Sequence, residues 1–354
     1  MKIKKISVEK LWNKYTFSID FDKQVTILIG KNGSGKSTIL NLINELLSNG
    51  RNDNNYKFKK IELSSFNKNR KISIEQKSLQ LGSEIERLNS INKESIEELK
   101  KLFDRIQKEI INLPSHTNKE ISSSKTSKVI LSRDEVDYLF LSTFDMEVKN
   151  KELVKKHYDG KSYIKTELDI ILNDLITNFK LYLLKIKEQV EKIQKIFDKE
   201  LEAYANKNNM EGLTKKLLEK KVKIDKIYEN RDLFKSKINE LFRDTEKKIT
   251  LDENNSLVFE LNDKSYLTPY QLSSGEKQIL IIMLNIMLLE NKETILLMDE
   301  PEISLHVEWQ KVFITTLLEL NPNLQIIIAT HSPAIVSEKF RSKIVRLSNF
   351  YVKG

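Results

Sequence analysis

Nine residues near the N-terminus, Gly30-Lys31-Asn32-Gly33-Ser34-Gly35-Lys36-Ser37-Thr38, restrict what this chain can fold into more than any other feature. They fit the pattern G-x-x-x-x-G-K-[ST], and their flanks are the ones that pattern requires. Gln24 to Gly30 is a continuous apolar run that reads as a buried strand, and Thr38 to Leu47 has helical spacing. Between a strand and a helix, such a loop points backbone N–H groups at phosphate oxygens, helped by the positive end of the helix. Lys36 is expected to reach the β- and γ-phosphates of a nucleotide, and Ser37 to set its hydroxyl on Mg²⁺. Gly30, Asn32, Gly33, Ser34, Gly35 and Thr38 complete the cradle. The bland alternative, a Gly-rich turn arising by chance, does not account for those flanks.

Three further motifs follow in order. Thr294 to Glu302 (TILLMDEPE) is a buried strand delivering Asp299 and Glu300 to its end. Adjacent carboxylates beside a phosphate site suit one metal-side role, for Asp299, and one water-activating role, for Glu300. An acidic pair capping a helix is the competing reading. Gln271 to Gln278 (QLSSGEKQ), 26 residues before Asp299, reads by itself as a helix cap, with Ser273, Ser274, Gly275 and Glu276 at its centre. His331 follows the apolar run Ile326-Ile327-Ile328, 32 residues after Asp299. A lone His in such a place is more often structural.

Between the first motif and the rest, the pattern changes. Segments at ISVEKLW, FSIDF, FKKIELSS and RKISIEQ read as strands. From about Ser83 to Leu113 the chain is charged and helical, followed by a polar Ser115–Ser127 loop and a short helix over Ser132–Phe144. Leu168, Leu172, Leu175, Phe179, Tyr182, Ile186, Val190, Ile193 and Phe197 then recur at steps of three and four, a heptad-like seam. After a polar turn at Ala205–Gly212, a second helix runs from Leu213 to Phe242, with Leu217, Ile224, Ile227, Phe234, Ile238 and Leu241 on one inner face. The pair predicts an antiparallel hairpin about 50 Å long. KITLDENNSLVFEL predicts a β-hairpin with an Asn-Asn turn. The expected fold is α/β, an ATPase head at 1–81 and 248–354 interrupted by a helical insertion at 82–247.

The 354 residues hold no Cys, which excludes disulfides, iron–sulfur sites and thiol nucleophiles. The longest apolar run, Ile279–Leu289, is too short to span a bilayer and is broken by Asn285, and the first residues do not form a signal peptide. A cytoplasmic protein with no membrane partner is expected. The net charge of +9 suits a nucleic-acid contact, or reflects a Lys-rich composition throughout.

Together the four motifs resemble the ABC-type ATPase heads of the SMC, RecF and overcoming-lysogenization-defect (OLD) proteins. LWNKYTFSIDFDKQVTILIGKNGSGKST, YQLSSGEKQILI and LLMDEPEISLHVEWQ are most similar to OLD-like ATPases of bacterial anti-phage modules, among them the subunits of Septu, PARIS and retron-linked systems. The likeness covers roughly residues 1–80 and 246–354. It implies ATP and Mg²⁺ as ligands. It implies that Ser273, Ser274, Gly275 and Glu276 form a signature binding the γ-phosphate of a second head. It implies that His331 contacts the γ-phosphate and the attacking water. Gln76 is the candidate for the family's metal-binding glutamine. Where the family commonly reads Leu-His-Pro, this chain has Leu305-His306-Val307; the departure bears on structure, and His306 reads as a structural or dimer-contact residue.

The resemblance therefore implies a head-to-head dimer, or a higher assembly of such dimers, with ATP between protomers. Family members that cut nucleic acid themselves carry a further acidic domain, and the chain ends 23 residues after His331. A separate effector, a nuclease, is thus expected, with the head gating or scaffolding it in defence. The Glu147-Val148-Lys149 triplet, with Asp145 nearby, is not expected to be a nuclease site. A RecF- or SMC-like repair ATPase is the alternative; a transporter subunit is disfavoured because Lys36 and Ser273 stand 237 residues apart. Residues 206–250 carry thirteen Lys/Arg against eight Asp/Glu, a surface for nucleic acid or simply a solvated helical face.

Overall fold

The computed structural model describes residues 1–48, 56–66, 71–76, 127–130, 136–142, 166–206, 210–347 and 352–353. Five short strands form a parallel sheet: β3 (Val25–Ile29), β7 (Tyr138–Ser142), β11 (Ile295–Asp299), β12 (Gln325–Ala329) and β13 (Ile344–Arg346), in the order β13-β3-β12-β11-β7. Their apolar runs are continuous because both faces are covered. Side-chain alternation divides them cleanly. Leu28, Ile295, Leu297 and Ile327 point into one core; Ile27, Leu296, Met298, Ile326 and Ile328 point into the other.

The first core is closed by helix α1 (Lys36–Leu47) and an antiparallel sheet beyond it. That sheet runs β14-β2-β1-β4-β5-β6, from β1 (Ile3–Leu11), β2 (Tyr15–Asp20), β4 (Lys60–Ser65), β5 (Lys71–Gln76), β6 (Ser127–Ile130) and β14 (Val352–Lys353). In β1, Ile3, Ile6, Val8 and Leu11 turn inward, with register shifts near both ends. The second core is closed by α4 (Ser274–Leu288), α5 (Val307–Leu320) and the root of the helical hairpin. A small sheet of β8 (Lys248–Leu251), β9 (Leu257–Glu260) and β10 (Tyr266–Leu267) lies beside them; β8 and β9 are the expected hairpin, and Asn255 turns at φ 55.

The hairpin comprises α2 (Glu167–Asn206) and α3 (Met210–Leu241). The pairing is antiparallel: Phe179 meets Phe234 near the root (6.0 Å between ring centres), and Asp198 meets Lys220 farther out (2.7 Å). The seam residues Leu172, Phe179, Tyr182 and Ile186 are buried as expected, but they serve the head as well as α3. About half of α2 is therefore root rather than free arm. Outward from Ile186 the helix leaves that core, and the ammonium groups of Lys216 and Lys223 lie over the Phe197 ring, 5.7 and 4.8 Å from its centre. Leu217, expected on the inner face of α3, is 49% exposed. At the root, Asp169 of α2 and Lys277 of α4 form a buried ion pair at 2.7 Å, and Trp309 of α5 donates to the Leu241 carbonyl at 2.8 Å.

Two expectations require correction. The short helix over Ser132–Phe144 is instead, at Tyr138–Ser142, a strand pairing with β11. Val136, Leu139 and Phe140 satisfy helical spacing, but Tyr-Leu-Phe-Leu is equally a run of strand formers, and a parallel neighbour decides the matter. Ser127, placed in a loop, begins β6. The span 82–247 thus holds two strands of the head's sheets as well as the hairpin. The helix expected over Ser83–Leu113, most of the Ser115–Ser127 loop and the Glu147-Val148-Lys149 triplet with Asp145 lie outside the described residues.

Candidate nucleotide site

Strands β3, β11 and β12 run parallel and end together, so the loops after them converge at the C-terminal edge of the sheet. That edge is where open α/β sheets bind ligands. β12 lies between the other two, which brings His331 between the phosphate loop and the acidic pair although it is 295 residues from Lys36 in sequence.

The phosphate loop is built to receive something. Gly35 stands at φ 87, a left-handed turn, and starts α1 with no capping side chain and no acidic residue in the first turn. The first N–H groups of α1 thus lack a side-chain acceptor and carry the helix's positive end. Two adjoining cavities open here. One, of about 700 Å³, is lined by Trp12, Tyr15, Ile29–Ser34 and Arg346. The other, of about 830 Å³, is lined by Trp12, Asn32–Thr38, Glu300 and His331. Every predicted loop residue, Gly30 to Thr38, faces one or both.

Lys36 is buried to 5% exposure, and its ammonium donates to the Gly30 carbonyl at 3.3 Å and to His331 Nε2 at 2.5 Å. An ammonium has only donors, so Nε2 accepts in this geometry. Burial lowers the Lys36 pKa, against the pull of Glu300, Asp299 and Glu302. His331 Nε2 lies 3.6 Å from Glu300 Oε1. Glu300 holds a left-handed backbone at φ 48, unusual for a residue with a side chain, and its N–H donates to Ala329 of β12 at 2.8 Å. Asp299 lies beneath, 6% exposed and hydrogen-bonded by Ser37. Burial pushes its carboxyl above the usual range; the Ser37 bond and Lys36 oppose this, while Glu300 and Glu302 add to it.

This donor set fits Mg²⁺. A hydroxyl and a buried, costly carboxylate are hard oxygen ligands. Among the described residues, no group of three or more His, Cys, Asp or Glu could hold a metal alone, so such an ion would also need phosphate oxygens. Gln76 ends β5, its backbone paired with Ser127; its side chain lies outside the described set.

The signature segment sits elsewhere. None of Ser273, Ser274, Gly275 and Glu276 lines either cavity. Ser273 caps α4, and Glu276 closes a capping box. Glu276 is engaged within its own helix cap. It is 2% exposed, with one oxygen on the N–H and hydroxyl of Ser273 (both 2.9 Å) and the other on Lys247 (2.6 Å). Burial alone would raise its pKa; Lys247 and Ser273 outweigh that and hold it below the usual range. Ser273 and Ser274 remain exposed, and Gly275 packs so closely that a Cβ would lie 2.3 Å from the Ser304 carbonyl oxygen. His306 is the residue before α5, its ring 6.4 Å from Trp309.

Sequence reasoning missed four residues here. Trp12, 45% exposed in the β1–β2 turn at φ 52, stands edge-on to Tyr15 and Tyr56 and lines both cavities. An aromatic at a turn of a polar hairpin was the available signal. Arg346, at the end of β13, offers no motif. Glu302 accepts from the His331 N–H at 2.8 Å, and Gln310 accepts from the Ser332 hydroxyl at 2.6 Å.

A family model described as an AAA ATPase domain matches residues 1–336. A relative named "Retron Vc95 probable ATPase", from Vibrio cholerae serotype O1 biovar El Tor, is 28% identical over 93% of this chain and 69% of its own length. Protein ea59 of Escherichia phage lambda is 33% identical over 34% of this chain and 23% of its own. Among solved structures, the SMC head domain from Thermotoga maritima is 15% identical, covers 96% of this chain and 93% of its own, and has a TM-score of 0.41. The Smc head of Pyrococcus furiosus with an extended coiled coil, bound to the C-terminal domain of ScpA, is 14% identical over 98% and 93%, with a TM-score of 0.45. Among the described residues no helix is long and apolar enough to cross a membrane.

Proposed function

The chain belongs to the AAA ATPase domain family, and from that premise we propose that it hydrolyses ATP with Mg²⁺ in a site completed by the signature of a second copy, and thereby gates a separate effector, a nuclease, in a bacterial defence module. The observation that carries the proposal is the contrast between two helix starts. The start of α1 is uncapped and opens into the cavities; the start of α4 is fully capped, exposes Ser273 and Ser274, and lines neither cavity. A γ-phosphate held by Lys36 has no signature residue of its own chain lining its cavity.

The roles follow from position. Trp12 offers an aromatic face for the adenine. The amides of Gly33 to Thr38 and the Lys36 ammonium hold the phosphates; Ser37 and Asp299 would hold Mg²⁺, which supplies charge neutralisation when bound. Glu300 takes the proton of the attacking water, and His331, within reach of Glu300 and Lys36, bonds the γ-phosphate side. The retron relative supports the defence setting, and the motif pattern shared with OLD-like ATPases supports a partner that carries out the cutting. The excess of Lys on α3 supports a nucleic-acid contact, checked by salt-sensitive DNA binding.

Glu300→Gln tests the centre of this reading. ATP binding should persist, turnover should fall on the order of a hundredfold or more, and sedimentation with ATP should show a lasting dimer. Wild-type turnover in that variant would remove Glu300 from the chemistry. A monomer at saturating ATP would remove the shared site.

A further inference from the structure

Two residues beyond Glu300 stands a third carboxylate, Glu302, that the proposed chemistry does not use. One of its oxygens, Oε1, accepts from three donors of a single short segment: the Thr330 hydroxyl at 2.7 Å, the His331 N–H at 2.8 Å and the Ser332 N–H at 3.1 Å. Bonds to an ionised acceptor are roughly twice as strong as neutral ones. Gln310 of α5 adds a second tie. Its amide nitrogen donates to the carbonyls of Leu305 (2.8 Å) and Glu302 (3.4 Å), and its oxygen accepts from the Ser332 hydroxyl at 2.6 Å.

The loop after β11 and the loop after β12 are thereby fastened to each other at the point where one carries Glu300 and the other His331. The other Glu302 oxygen, Oε2, is buried with no hydrogen-bond partner among the described residues. A mere tether could be built from an amide at lower cost; a carboxylate gathers all three donors on one oxygen.

We propose that Glu302 is a positioning residue: by clasping Thr330, His331 and Ser332, it sets the His331 ring against Glu300 and Lys36, so that the two loops act as one unit. The proposal rests on the reading of His331 as a participant in hydrolysis. It requires that Glu302 act through His331 and not beside it.

Glu302→Ala should lower kcat about as far as His331→Ala does, on the order of a hundredfold, with KM for ATP changed by no more than about twofold. Glu302→Gln, which keeps an acceptor oxygen, should recover part of the loss. The double variant, Glu302→Ala with His331→Ala, should be no slower than His331→Ala alone, within about twofold. Multiplied losses, or wild-type kcat in Glu302→Ala, would overturn the proposal. A second readout does not depend on turnover. The chain has four His, and in ¹⁵N-histidine-labelled protein the His331 ring signals, assigned by their loss in His331→Ala, should move in Glu302→Ala. Unmoved signals overturn the proposal even if turnover falls. If Glu302→Ala does not fold, Glu302→Gln carries the same spectral comparison. Wild-type turnover in His331→Ala would instead retire the hydrolytic role of His331 and leave the spectra to decide Glu302.

Discussion

Asp299 shows what a single residue gives up for a ligand. Its carboxyl is buried, and burial raises its pKa, so the folded protein without nucleotide disfavours the charged form. A group whose folded pKa is raised stabilises the fold at low pH, and that contribution is lost as pH rises through the folded value. At neutral pH Asp299 is therefore a cost. Asp299→Asn should melt higher than the wild type without nucleotide, on the order of 2 °C or more, and the gap should close as pH falls into the carboxylate range. Differential scanning calorimetry across that range checks it; an Asn variant that melts lower at neutral pH contradicts the sign. Lys36, Asp299 and Glu300 were legible in sequence because local patterns set Lys36 at the start of a helix and the acidic pair at the end of a strand. Glu302 was not, since its donors come from residues 28 to 30 positions away. Trp12 was not, since a turn aromatic gains meaning only from the cavity it faces.

At the scale of elements, α1 and α4 begin with similar words, Gly-Lys-Ser and Ser-Gly-Glu, and end up opposite. α4 satisfies its own start with Ser273 and Glu276, and its second residue, Gly275, has no room for a side chain because the Ser304 carbonyl lies against it. Gly275→Ala would force α4 and the Ser304 loop apart, because a Cβ 2.3 Å from a backbone oxygen lies well inside contact distance. We expect ATP binding by fluorescence titration to stay within about threefold while turnover drops at least about tenfold; equal loss of both would place Gly275 in the nucleotide's own cavity. α1, α2 and α3 were legible from their helical spacing. β7 was not, because four apolar residues do not distinguish a strand from a helix until β11 supplies a partner. The hairpin was legible as an antiparallel pair but not in its rooting: Leu172 to Ile186 read as a coiled-coil seam, and only the fold reveals that the same face also closes the head's second core.

At the scale of the molecule, a shared site has a signature that no single chain can imitate. Lys36→Ala disables a phosphate loop and Ser273→Arg disables a signature, each on every protomer of its own dimer. Mixed together, the two inactive proteins should regain up to about half of the specific activity, because one of the two sites in a mixed dimer draws both halves from intact surfaces. No recovery on mixing would mean that each chain works alone. The order of the parallel sheet also constrains how the protein is made. β3 carries the phosphate loop, yet its neighbours are β12 and β13, which leave the ribosome long after it. The antiparallel sheet can begin to pair early through β1, β2, β4 and β5, but Val25 to Ile29 must wait, apolar and without their partner strands, while the hairpin is synthesised. Contacts so distant in sequence form slowly. The nascent chain thus carries an aggregation-prone strand through most of its synthesis, and it cannot bind nucleotide in this geometry before β12 docks between β3 and β11.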